Sequence, residues 1–284
     1  YIGDAALDSA DYMIFDDGTI TLKNSYLSAL AAGEYTVRVS YNPLGEEYRS
    51  GDEPAVTSVK LTVSKKTPSI SHVPGDAKNY DGNPISAPTF DTDSDGTPTV
   101  EYKPAGADDS AYTAAAPKKV GKYTIRITTA ETDTFKATFS TMVFEIKPRE
   151  VTVSGVTAGS KTYDGNAKAK ITAAGVINGL VDGDNVDIVT GKALYNDKNV
   201  GTGKTVTFYD FALSGDDAAN YVLSAQPEST TANISAKELT ITDLAVKDKQ
   251  YDGKNTAGID GTPTLVGVVD GDVLTLINGV PTFD

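Results

Sequence analysis

The chain has 284 residues, with 25 Lys and Arg against 39 Asp and Glu, a formal net charge of −14 and an isoelectric point near 4.5. That balance argues against a nucleic-acid binder, which needs a basic face to displace counterions, and against docking on anionic lipid. The absence of cysteine excludes disulfides, thiolate nucleophiles and sulfur-ligated metals, and a single histidine leaves no His pair for a metal. No apolar run approaches the roughly 18 residues of a membrane-spanning helix. The chain opens on Tyr1 rather than Met and shows no signal peptide, which reads as a fragment or a processed form. In chain order, Asn24 is placed to cap a short helix that carries Tyr26, Leu27 and Leu30 on one side and ends at Gly33. Every other predicted element is a strand. Residues 35–41, 60–63, 123–127, 151–153 and 205–208 alternate side chains with period two, are rich in Val, Ile, Thr and Tyr, and are bounded by Gly, Asp, Asn and Pro. Repeated short strands with turn signals predict an all-β chain of sandwiches.

An internal repeat organises the chain. Tyr-Asp-Gly occurs at Tyr80-Asp81-Gly82, Tyr163-Asp164-Gly165 and Tyr251-Asp252-Gly253, with spacings of 83 and 88 residues. Val63, Ile146 and Ile234, each closing a strand before a short polar link, have the same two spacings. Two independent markers with one period predict tandem domains of about 85 residues. The expected divisions are 1–66, 67–148, 149–236 and 237–284. The links around residues 64–68, 147–150 and 235–238 are short and charged, and two contain Pro, so they restrict bending more than a Gly/Ser tether does. An elongated rod of beads is the expectation. Val181-Asp182-Gly183-Asp184 and Val269-Asp270-Gly271-Asp272 each begin 18 residues after their Tyr, and Tyr195 and Phe283 each lie 32 residues after it. On that alignment, residues 237–284 correspond to the first half of the preceding repeat, and strands there are expected to pair with a neighbour or to be poorly ordered.

Lys161-Thr162-Tyr163-Asp164-Gly165, Val181-Asp182-Gly183-Asp184, Asn199-Val200-Gly201, Leu213-Ser214-Gly215-Asp216 and Asn220-Tyr221-Val222-Leu223 fall in an order that resembles the YDG repeat of bacterial surface proteins. The likeness covers about 149–236 and its first half recurs at 237–284. Residues 67–148 are similar to the MBG repeat, a bacterial immunoglobulin-like domain. The carriers are Tyr80-Asp81-Gly82, Val120-Gly121-Lys122-Tyr123-Thr124-Ile125 and Phe144-Glu145-Ile146, with Thr134-Phe135 standing where Asn-Tyr is usual. Residues 1–66 resemble the X-type accessory module of cellulosomal and glycan-degrading proteins through Asp11-Tyr12, residues 18–22, residues 25–30 and residues 32–36. These resemblances imply immunoglobulin-like beads of a secreted, wall-associated multidomain protein with no catalytic residues to carry over.

The residues themselves offer few chemistries. Asp-Gly favours a tight turn, and the Tyr before it can bury its ring while its hydroxyl finds a partner. The tripeptide therefore reads as a hairpin that pins strand register. Val200-Gly201-Thr202-Gly203-Lys204-Thr205 lacks the first Gly of a phosphate loop, since position 198 is Lys198, and runs into an alternating strand. Asp91, Asp93 and Asp95, followed by Gly96, resemble the start of a calcium loop, but the twelfth position is Tyr102 rather than Glu, so the run reads as a solvated acidic hairpin loop, with weak calcium binding as the alternative. His72 has no nearby Ser-Gly elbow and reads as structural. Tyr35, Tyr41 and Tyr48 are candidates for stacking on sugar rings. Lys147, Lys237 and Asn233 lie near domain junctions, where a Lys–Asn amide crosslink is an alternative to a disulfide. The expected function is a non-catalytic stalk segment at the bacterial cell surface. It binds no nucleic acid, enters no membrane, has no cofactor beyond weak calcium, and has its own neighbouring domains as first partners. A glycan- or host-binding module using exposed tyrosines is the alternative.

Overall fold

The computed structural model describes residues 1–2, 5–41, 55–73, 77–277 and 279–282. Its regular secondary structure is almost wholly β-strand, and it divides into two compact units, residues 1–78 with 83–146 and residues 79–82 with 147–284.

In the first unit, Gly33–Tyr41 pairs antiparallel with Ala55–Val63 over nine residue pairs. Further on, Gly121–Thr129 lies between Pro98–Pro104 and Thr138–Lys147 in an antiparallel sheet. The alternation read from the sequence decides which face is covered: Ile125 and Ile127 are buried with Tyr102, Met142 and Ile146, while the intervening positions face outward. The link after Val63 is held in place. The Lys66 amide donates to the Thr134 carbonyl and Lys136 returns a bond to the Lys66 carbonyl. Lys65 Nζ meets Glu131 Oε1 at 2.6 Å.

The second unit is a sandwich. One layer is a six-stranded sheet in the order Thr157–Gly159, Lys168–Ala173, Lys192–Tyr195, Gly201–Tyr209, Thr230–Ser235, Lys161–Thr162. The other is a three-stranded sheet with Arg149–Ser154 between Val176–Asn178 and Tyr221–Leu223. Val153 and Val156 from the smaller side meet Ala193, Tyr195, Val206, Phe208 and Ile234 from the larger, with Phe211 edge-on to Phe208 at 6.1 Å. Beyond this core, Thr240–Thr242 pairs with Thr264–Val266, and Ala245–Val246 with Ile259–Asp260. There Val273, Ile277 and Val280 are exposed.

Two sequence expectations change. The helix is a single turn, Asn24–Leu27, and Asn24 is its first residue rather than its cap. Lys23 holds the cap position in extended conformation, with no side-chain bond to the first turn. The Tyr-Asp-Gly turn is not a hairpin. Lys161–Thr162 runs parallel to Thr230–Ser235 at one edge of the sheet, whereas Lys168–Ala173 pairs with strands toward the other edge. The tripeptide bends the chain between strands that are not partners. Its glycine is still required, with φ of 78°, 79° and 74° at Gly82, Gly165 and Gly253.

Candidate functional site

Among the described residues no group of three or more His, Asp or Glu could hold a metal. Asp91, Asp93 and Asp95 form no such group among the described residues. Asp93 instead accepts bonds from the Ser69 amide at 2.7 Å and the Ser69 hydroxyl at 3.1 Å, and the Ser69 amide holds its carboxyl below the usual carboxylate range. The Tyr35 hydroxyl donates to the Ala31 carbonyl at 2.8 Å, as Tyr123 does to Lys119 at 2.8 Å. Both tyrosines thus brace the start of a strand. Tyr41 closes the same strand as Tyr35, and Tyr48 lies outside the described residues, as does Phe283. The face of Tyr112 is covered by the Arg126 guanidinium 3.8 Å from its ring centre.

Lys204 lies in the strand Gly201–Tyr209, paired with Asp197 at 2.7 Å. His72 sits on the short strand Ile70–His72, and its Nδ1 makes no hydrogen bond to the described residues. The Asn233 side-chain oxygen accepts the Gly203 amide at 2.8 Å. A groove of about 440 Å³ lies between residues 152–156 and 225–230. The side chain of Gln226 in its wall is committed to both backbone groups of Phe211.

What the structure does bring together, within the second unit, is the Tyr-Asp-Gly turn and the Val-Asp-Gly-Asp turn. The latter is a β-turn, closed by the Asp184 amide on the Val181 carbonyl and by the Asp272 amide on the Val269 carbonyl. Gly183 and Gly271 stand at φ 86° and 87° in its third position. The Tyr163 hydroxyl donates to Asp272 Oδ1 at 2.9 Å, 109 residues away. Gly165 lies so close to Val269 that a Cβ there would stand 2.7 Å from Val269 Cγ1.

A related contact is made at Tyr80, whose ring meets Tyr221 edge-on at 5.5 Å and whose hydroxyl feels the Asp184 carboxylate. A Cβ at Gly82 would stand 2.8 Å from Val181 Cγ1. Tyr221 completes this second copy by donating to Asp184 Oδ2 and accepting the Val181 amide. Burial, and after it the Asp184 carboxylate, push the Tyr80 phenol up to about 12. At Tyr163 the Asp272 carboxylate is the larger cause and burial the smaller, and the phenol is again raised. A carboxylate that accepts from a phenol favours its neutral form.

A lysine two residues before each Tyr shapes the turn. Lys161 Nζ donates to Asp164 Oδ1 at 2.6 Å and to the Asn166 carbonyl at 2.7 Å. Lys249 does the same with Asp252 at 2.8 Å and the Lys254 carbonyl at 2.8 Å, and Lys78 reaches the Asn83 carbonyl at 2.7 Å. Sequence reasoning missed the bracing role of these lysines, although Lys-x-Tyr-Asp-Gly stands at all three places.

The molecule is thus an all-β repeat protein whose recurring site is a contact between two turns of its own chain. Residues 147–231 and 235–284 each match the family model of the YDG domain. A search of curated proteins finds no match to the chain.

Two outcomes follow. Gly165→Ala and Gly253→Ala both place a side chain at positive φ, costing about 1–2 kcal/mol, but only the first meets a valine. Packing strain adds about 1–3 kcal/mol there, and Gly165→Ala is expected to weaken amide-exchange protection at residues 269–272 while Gly253→Ala leaves it unchanged. The raised Tyr80 phenol has a signed consequence. Its contribution to stability is complete below its unfolded value near 10.0, and is lost as pH rises toward its folded value of about 12. Tyr80→Phe should lose less stability than the parent chain across that window in alkaline denaturation.

Proposed function

We propose that the chain is a non-catalytic spacer segment of a secreted bacterial surface protein, built of immunoglobulin-like beads in series as an elongated rod. The observation that carries this reading is the turn-on-turn contact made twice, with Gly82 against Val181 and Gly165 against Val269, and with a tyrosine hydroxyl donating to the last carboxylate of each Val-Asp-Gly-Asp turn, Tyr221 to Asp184 and Tyr163 to Asp272. A repeat that fixes the next repeat through one conserved geometry transmits direction along a chain, which a stalk needs and a flexible tether does not provide. The short charged links agree with it. So does the net charge of −14, which keeps neighbouring stalks soluble and apart.

The resemblance of residues 67–148 to MBG repeats and of residues 1–66 to X-type modules extends the reading to the whole chain and supports a cell-wall location. Adhesion then belongs to lateral contacts or to a ligand such as a surface glycan, and neighbouring domains of the same protein are the first partners. No nucleic acid, membrane insertion or cofactor enters this function.

Small-angle scattering of the chain tests the reading. A skewed pair-distance distribution with a long tail is expected, broadening further in Tyr163→Ala as the contact is released. A compact, symmetric distribution would overturn it. Recognition on a glycan array that vanishes with Tyr35→Ala would favour the glycan-binding alternative.

A further inference from the structure

The third Tyr-Asp-Gly turn is built like the other two. Lys249 braces Asp252 at 2.8 Å, the Asp252 carboxylate accepts the Lys254 amide at 3.0 Å, and Gly253 has φ of 74°. Its counterpart at Lys161 has the same braces and a φ of 79°. The outer face differs. Tyr251 is 97% exposed, and a Cβ at Gly253 would meet nothing within 4 Å, where Gly82 and Gly165 each lie against a valine methyl. A preformed turn with a bare aromatic ring and an open glycine presents a phenol donor beside a stretch of backbone that no side chain covers.

From the two occupied copies we infer that Tyr251-Asp252-Gly253 is a docking site for the Val-Asp-Gly-Asp turn of a further YDG-type repeat. The valine methyl packs over the open Gly253 and the last carboxylate of the turn accepts the Tyr251 hydroxyl. The inference rests on the reading of the turn pair as the joint of a stalk. It goes beyond that reading by naming an unfilled half-joint and the chemistry that fills it. Both Val-Asp-Gly-Asp turns of this chain already face a tyrosine, so the occupant comes from another repeat.

The test extends the full chain beyond Asp284 with a copy of residues 197–284, since Asp284 aligns with Asn196. The copied Val269 turn then follows Tyr251 by the same 109 residues that separate Tyr163 from Asp272. The copied Tyr251 is changed to Phe so that the original peptide is distinct by mass. Hydroxyl-radical footprinting reads tyrosine accessibility. Labelling of Tyr251 is expected to fall several-fold in the extended chain and to recover when the copied Asp272 is changed to Ala. Equal labelling of Tyr251 in the parent and extended chains, with Tyr163 protected in both, would overturn the inference alone. Tyr163 labelled as fast as Tyr251 in the parent would instead overturn the joint itself.

Intact-mass amide exchange shows whether the extension folds, by the slow amides it adds. If it adds none, the nitrogen-15-labelled parent is titrated with an unlabelled chain carrying Tyr80→Ala and Tyr221→Phe, which removes both tyrosine hydroxyls from the Asp184 carboxylate of the Val181 turn. Shifts confined to Gly253 and its neighbours support the inference, and unmoved resonances reject it.

Discussion

A neutral phenol donating to a carboxylate, beside a glycine that lets a valine methyl approach, is the interaction on which the second unit is organised. The two halves constrain each other. The hydroxyl of Tyr163 reaches Asp272 only because Gly165 has no side chain to hold Val269 away. The carboxylate in turn keeps the phenol protonated, so the donor persists over the whole physiological range. This chemistry suits an acidic chain. With 39 carboxylates and 25 cations, joints made of ion pairs would draw on the scarcer charge and would be screened by salt. A phenol donor satisfies a carboxylate without either cost.

The same side chains connect the joint to the core. The ring of Tyr163 packs against the cluster that contains Phe208, Val206 and Ile234, and its hydroxyl leaves that cluster for Asp272. Tyrosine is suited to this, having an apolar body and a polar end. The order of the sandwich interior is therefore passed to the contact with little conformational freedom between them. Elsewhere, polar groups that could have served a ligand are spent on the fold. Asp93 holds Ser69, Gln226 closes on Phe211, and Tyr35 braces its own strand.

Much of this architecture was legible in the sequence. Period-two alternation placed the strands because burial on one face leaves a direct imprint, as at Ile125 and Ile127. The repeat period was legible for the same reason, since Ile146 and Ile234 are both almost fully buried and are held in place by their cores. The turn's role was misread because Asp-Gly signals a tight bend but says nothing about which strands flank it, and that is decided by pairings distant in sequence. The partner of Tyr163 was hidden for a related reason. Val269-Asp270-Gly271-Asp272 was visible as a repeat marker, yet its contact spans 109 residues and no local pattern encodes it. The bracing lysines carried a readable signal in their fixed offset from each Tyr. The acidic run at Asp91, Asp93 and Asp95 looked like a cation loop because alternate carboxylates do so in isolation, but pairing with the strand Ile70–His72 gives Asp93 to a backbone amide.

A double-mutant cycle between Tyr163→Phe and Asp272→Asn addresses the central claim most directly, with stability of the second unit as the readout. Phe keeps the ring in the core and Asn keeps the shape of the turn, so the cycle isolates the hydroxyl–carboxylate bond. A coupling energy of about 1 kcal/mol or more is expected, as for residues in direct contact. Strict additivity of the two substitutions, within about 0.3 kcal/mol, would contradict it.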